Sequence, residues 1–87
     1  DYSVEELTEI FKRNLRKSRY KIKRDAFEEL QGVVAKAVAS RDKNFGNARY
    51  VRNLFEKVVQ NQANRLARME SINNDELSII TREDINF

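Results

Sequence analysis

The stretch FGNARYVRNLFEKVVQNQANRL, residues 45–66, decides how the chain folds. Ala48, Val51, Phe55, Val58, Val59 and Leu66 recur at helical spacing, with Gln62 among them and Met69 continuing the row. This spacing predicts an amphipathic α-helix from about Asn47 to Met69, the longest of the chain. Gly46, which carries no side chain, lets the backbone before the helix approach a neighbour or ligand closely. Asn47 is a favourable N-cap. The charges at this helix start are unusual: Arg49 and Arg52 occupy its first turns, and no acid comes before Glu56. A helix N-terminus behaves as a partial positive charge, so a cation there is disfavoured by a few tenths of a kcal/mol or more.

The other helix starts follow the dipole rule. Ser3 followed by Glu6 forms a capping box, with Tyr2 and Leu7 at the positions of a hydrophobic staple. From there Val4, Leu7, Ile10, Phe11 and Leu15 make one apolar stripe, which predicts a first helix fading near Ser18. The connector SRYKIK should tuck Tyr20 and Ile22 back against the core. A second helix is predicted from about Arg24 to Ser40, with Asp25, Glu28 and Glu29 in its first turns. Ala26, Phe27, Leu30, Val33, Val34, Ala37 and Val38 form its apolar face. Lys23 stands where a small polar cap is expected. After residue 69, DELSII predicts a short fourth helix capped by Asn74, and TRED a terminal turn with Thr81 as cap and Asp84 three residues on.

Proline is absent and glycine occurs only at positions 32 and 46. No strand-like alternation is sustained and no internal repeat, linker or low-complexity segment interrupts the chain. The expected architecture is therefore all-α: a small helical bundle of about four helices, one domain over residues 1–87.

With 87 residues, 40% of them apolar, the chain can build one compact core. The net charge is +3, and the positive excess is local. Residues 12–24 hold eight cations and no acid, while the rest of the chain is balanced or acidic. The absence of cysteine and histidine removes disulfides, thiolate nucleophiles, zinc sites of the usual ligand types and an imidazole base, so no metal ligands are expected. The lack of cysteine fits a reducing cytosol, and a cytoplasmic location is the expectation. No run approaches the roughly 18 apolar residues of a membrane span, and no signal-peptide pattern opens the chain. It begins at Asp1 rather than methionine, which suggests a fragment or a processed product.

At about 100° per residue, Arg49 falls roughly 100° or more from the centre of its helix's apolar stripe, so its side chain should leave the domain surface. Arg52 lies nearer the flank, where pairing with Glu56 four residues on is worth roughly 0.2–0.5 kcal/mol. Two readings stand for Arg49: a solvated cation, or one that meets an anion from outside. Phosphate is the natural candidate, because arginine presents planar donors to it and a helix start adds to the attraction.

The run Phe45-Gly46-Asn47-Ala48-Arg49, with Val51-Arg52-Asn53, Phe55-Glu56, Gln62-Ala63 and Arg65-Leu66, resembles the C-terminal lid domain of the CbxX/CfqX family of AAA+ ATPases. That family includes the red-type rubisco activase, stage V sporulation protein K and type VII secretion ATPases. IFKRNLRKSRYKI resembles the family's opening lid helix, DAFEEL its second helix, and DELSIITREDI its closing segment, so the likeness spans nearly the whole chain. The resemblance implies a lid that follows an α/β nucleotide-binding domain, with ATP, and magnesium in the parent protein, held between the two. It implies that Arg49 is the sensor-2 arginine reaching the nucleotide phosphates, with Gly46 and Asn47 beside it. Its implied partners are its own N-terminal nucleotide-binding domain and the neighbouring subunits of a hexameric ring. It also implies that nucleotide state sets the angle between lid and main domain.

This sequence has no G-x-x-x-x-G-K-[ST] loop to cradle phosphate and no acidic pair after an apolar strand to hold magnesium. No hydrolysis is expected of it alone, only of a full-length parent. The alternative is a small basic helical module in which residues 12–24 bind nucleic acid or an acidic protein partner. Tyr20 is the run's one aromatic and points toward the core, so a solvated helix face explains the run as simply.

Overall fold

The computed structural model describes residues 2–40 and 47–87. Its elements are α1 (Val4–Lys17), β1 (Lys21–Ile22), α2 (Arg24–Ser40), α3 (Asn47–Ala67), a 3-10 turn (Asp75–Ser78), β2 (Ile79–Ile80) and a second 3-10 turn (Arg82–Asp84).

The first helix begins as its capping box dictates. The Glu6 amide donates to Ser3 Oγ at 3.1 Å, and the Ser3 amide donates to Glu6 Oε1 at 2.9 Å. The helix ends in a reciprocal pair of backbone bonds: Tyr20 N–H to the Leu15 carbonyl at 2.8 Å and Arg19 N–H to Arg16 at 3.1 Å. This is the Schellman arrangement, which needs a left-handed residue just past the helix and usually finds glycine there. Here Arg19 takes it, with φ of 64°. The turn swings Tyr20 back over the core, where its ring meets Phe55 edge-on at 6.4 Å, and Phe55 in turn meets Phe11 at 5.9 Å.

The core is built from Leu7, Phe11 and Leu15 of α1, Ala26, Leu30 and Val34 of α2, and Val51, Leu54 and Val58 of α3, closed by Ile80 and Ile85. The second helix has the expected bounds, and the Lys23 carbonyl accepts its first bond, from the Phe27 amide at 2.9 Å. On α3 the apolar stripe is turned from the expected one. Leu54 is buried, Ala48 is exposed, and Phe55 and Val59 are only half covered. The cause is the three-sided packing of α3: Phe55 serves the α1 flank, while Leu54 enters the shared core on the other.

A fourth α-helix does not form over DELSII. Among the described residues there are three α-helices, and this stretch divides into the 3-10 turn and β2. Asn74 makes no side-chain cap; Asn73 does, with Oδ1 accepting from the Glu76 amide at 3.0 Å. Ile79 and Ile80 instead pair in parallel with Lys21 and Ile22, and the Lys23 amide extends the ladder to the Ile80 carbonyl at 3.1 Å. Two consecutive β-branched residues suit such a pairing better than a helix.

A polar row on the inward side of α3 takes the carbonyls that a helix would have used itself. Gln62 Nε2 donates to the carbonyls of Leu77 at 3.0 Å and Ile79 at 3.3 Å. Arg65 Nη2 donates to Ile79 at 3.2 Å, and Asn61 Nδ2 donates to the carbonyls of Asp84 at 3.0 Å and Asn86 at 2.9 Å. At the centre, Arg65 grips the Asp84 carboxylate with Nε to Oδ1 at 2.9 Å and Nη2 to Oδ2 at 3.2 Å. Asp84 is only 1% exposed. Its Oδ2 also accepts from the Thr81 amide at 2.9 Å, which is the expected terminal cap. This pairing, above all the hydrogen bond, raises the Arg65 pKa above its ordinary value. A raised pKa gives stability that is fully present below the unfolded-state value and lost only as pH rises through the folded one, so arginine stays charged across the neutral range.

Asp84→Ala leaves the Arg65 guanidinium without its carboxylate and is expected to cost about 3 kcal/mol, as for other broken buried pairs. Arg65→Lys keeps the charge but loses the two-pronged grip, and should fall between this variant and wild type in urea denaturation. Gly32 sits within α2, and a Cβ there would meet nothing within 4 Å. Gly32→Ala should therefore stabilise by about 0.5–1 kcal/mol, read as a rise of several °C in the thermal midpoint.

Candidate functional site

The start of α3 keeps the unbalanced charge seen in the sequence. Its first turn holds no acid. Arg49 is exposed, and no described residue gives its guanidinium a hydrogen bond or ion pair. Arg52 behaves differently. Its Nε lies 4.0 Å from Glu56 Oε2, four residues on, with both side chains largely in solvent. Such a pair is worth a few tenths of a kcal/mol. Asn47 is the first residue of α3, but its side chain and all of Gly46 lie outside the described residues. The structure thus separates the two arginines by partner and leaves Arg49 pointing away from the core.

Two surface hollows flank this helix. One, of about 510 Å³, lies between the end of α1 and the start of α3, with half-buried Ile10 and Phe55 and exposed Lys17 and Arg52 among its walls. The other, of about 580 Å³, includes Val33 of α2, Tyr50, Leu54 and Lys57 of α3, and Phe87. Burial pushes the Tyr50 phenol above its ordinary pKa, so it stays protonated at neutral pH. Among the described residues no group of three or more histidine, cysteine or acidic side chains is placed to hold a metal ion. No described helix is long and apolar enough to cross a membrane.

In the basic run, Arg16 Nη2 lies 3.4 Å from Glu9 Oε1, and Lys12 Nζ stands 4.8 Å from the centre of the Phe27 ring. The other cations between residues 13 and 24 are exposed.

What sequence reasoning missed is the polar clamp. Helical spacing puts Gln62 on the apolar face, offers Arg65 no partner nearby, and makes Asp84 a local cap. A faint signal existed: Gln62 and Arg65 are three apart, hence neighbours on one helix side, and both stand beside buried Leu66. Their partners lie fourteen to nineteen residues downstream, where no spacing rule reaches.

The comparisons with known proteins agree with this architecture. The AAA lid domain family matches residues 3–87. Stage V sporulation protein K of Bacillus subtilis (strain 168) is 34% identical over 89 aligned residues, which cover 100% of this chain and 27% of that protein. The chain thus spans about a quarter of the curated relative it matches. With the match running from the Ser3 cap to the last residue, through all three helices and the clamped closing segment, the chain belongs to the AAA lid domain family.

Proposed function

We propose that this domain is the C-terminal lid of an AAA+ ATPase of the CbxX/CfqX type, and that Arg49 is its sensor-2 arginine. In this reading Arg49 reaches the phosphates of ATP held, with magnesium, by an N-terminal nucleotide-binding domain of the same protein. Gly46 and Asn47 bring the start of α3 close to the nucleotide. The observation that carries the reading is the exposed Arg49 guanidinium at an acid-free helix start, supported by the family match.

The physics fits the role. A cation and a helix N-terminus repel each other mildly when the site is empty, and both favour an anion arriving from outside. Arginine adds a planar fork suited to phosphate oxygens. Because α3 also clamps the closing segment, a pull on Arg49 moves helix and clamp together. Nucleotide state would then reset the angle between lid and main domain, a hinge motion that bears on contacts with neighbouring subunits of a ring. The parent protein, not this chain alone, would hydrolyse ATP.

In a protein that joins this lid to its nucleotide-binding domain, Arg49→Ala should lower ATP turnover about 10- to 100-fold. This follows from roughly 1.5–3 kcal/mol for a hydrogen bond to a charged group. Arg52→Ala, which removes a cation already facing Glu56, should change turnover by less than about twofold. The isolated 87-residue chain should show no hydrolysis. Wild-type turnover in the Arg49 variant removes that residue from the site.

A further inference from the structure

Charge is divided sharply along this chain. Residues 12–24 carry eight of the 17 cations and none of the 14 acids. The remainder therefore has 17 − 8 = 9 cations against 14 acids, a net of −5 beside a segment of +8. Local pairing does not absorb the excess. Only Lys12 and Arg16 of the eight have a side-chain partner among the described residues, the Phe27 ring and Glu9. Arg13, Lys17, Arg19, Lys21, Lys23 and Arg24 are all exposed.

Five of these six follow the chain over the end of α1, the turn and β1, and Arg24 opens α2. Arg13 and Lys17 are four apart on the solvent side of α1, about 6 Å along its axis. Arg19 occupies the left-handed position that turns the chain. Through β1 and its two flanking residues the alternation places Tyr20 and Ile22 against the core and leaves Lys21 and Lys23 exposed. The Schellman turn and the β1–β2 pairing hold this surface in shape, so the cations gain a fixed arrangement at the cost of mutual repulsion. None of it is used by the proposed phosphate contact.

We propose that this basic surface, over the end of α1, the turn and β1, is a docking site for an acidic segment of another protein. Two observations favour that partner over nucleic acid. The one aromatic of the run, Tyr20, is packed edge-on against Phe55 and offers no face for a base to stack on. A nucleic acid is also an extended anion, and on a domain whose other residues sum to −5 it would meet repulsion wherever it ran past the basic surface. A short carboxylate-rich segment meets only the cations.

The 87-residue chain tests this directly. Fluorescence anisotropy with a labelled Glu/Ser peptide should show binding that weakens about tenfold between about 50 and 200 mM salt, as exposed pairs are screened. The triple variant Arg13→Glu, Lys17→Glu, Lys21→Glu should abolish it while leaving the circular dichroism and urea midpoint close to wild type. A matched variant with the same net charge, Lys36→Glu, Lys57→Glu, Arg68→Glu, should keep binding within about twofold, since those charges lie outside the surface. Equal loss in both variants reduces the effect to net charge and overturns the site. So does tighter binding of a single-stranded oligonucleotide of equal charge, salt-sensitive self-association in sedimentation without peptide binding, or no binding at the lower salt.

Discussion

The structure depends on one buried ion pair. Arg65 and Asp84 meet through two hydrogen bonds, at 2.9 and 3.2 Å, and the carboxylate is almost fully out of water. Desolvating two charges is expensive, so such a pair is stable only when the remaining donors and acceptors are also used. Here they are: Asp84 Oδ2 accepts from the Thr81 amide and hydroxyl, and Arg65 also reaches the Ile79 carbonyl. Gln62 and Asn61 complete the row. The closing segment contributes just Ile80 and Ile85 to the buried core. Its position is therefore fixed less by apolar burial than by polar groups with narrow geometric tolerance, which set where β2 lies and hence where β1 pairs.

That constraint gives α3 two distinct jobs. Its first turns carry the unbalanced cations, and its later turns hold the clamp. The two sets are sixteen residues apart, from Arg49 to Arg65, on one unbroken helix. At 1.5 Å per residue they are separated by roughly 24 Å. A phosphate at one end and the clamped segment at the other would thus be joined by a rigid rod with no hinge between them. The basic surface borders the start of α3 through Lys17, which shares a hollow with Arg52, and extends from there over the turn that ends α1. Phosphate contact and docking of an acidic partner would use different side chains, Arg49 for the first and Arg13, Lys17 and Lys21 for the second.

Local chemistry made several elements legible. The Ser3–Glu6 box set the start of α1, and the acids after Arg24 set the start of α2. The missing acid after Asn47 singled out Arg49, which the structure leaves exposed. Elsewhere local rules misled. DELSII has the cap and acids of a helix, yet its carbonyls are taken by Gln62 and Arg65, and its isoleucines by β1. The stripe drawn through Ala48 and Phe55 was off-centre, because a helix packed on three sides buries an arc no single periodic row describes.

The sequence by itself determined the Ser3 and Thr81 caps, the helical periods, the bounds of α2 and the charge at the start of α3, because each arises among residues close to one another along the chain. Tertiary structure alone decided the β1–β2 pairing, the Arg65–Asp84 grip and the inward turn of Gln62. These join residues fourteen or more positions apart. Their energy depends on burial, and burial exists only once the three helices have closed around a common core.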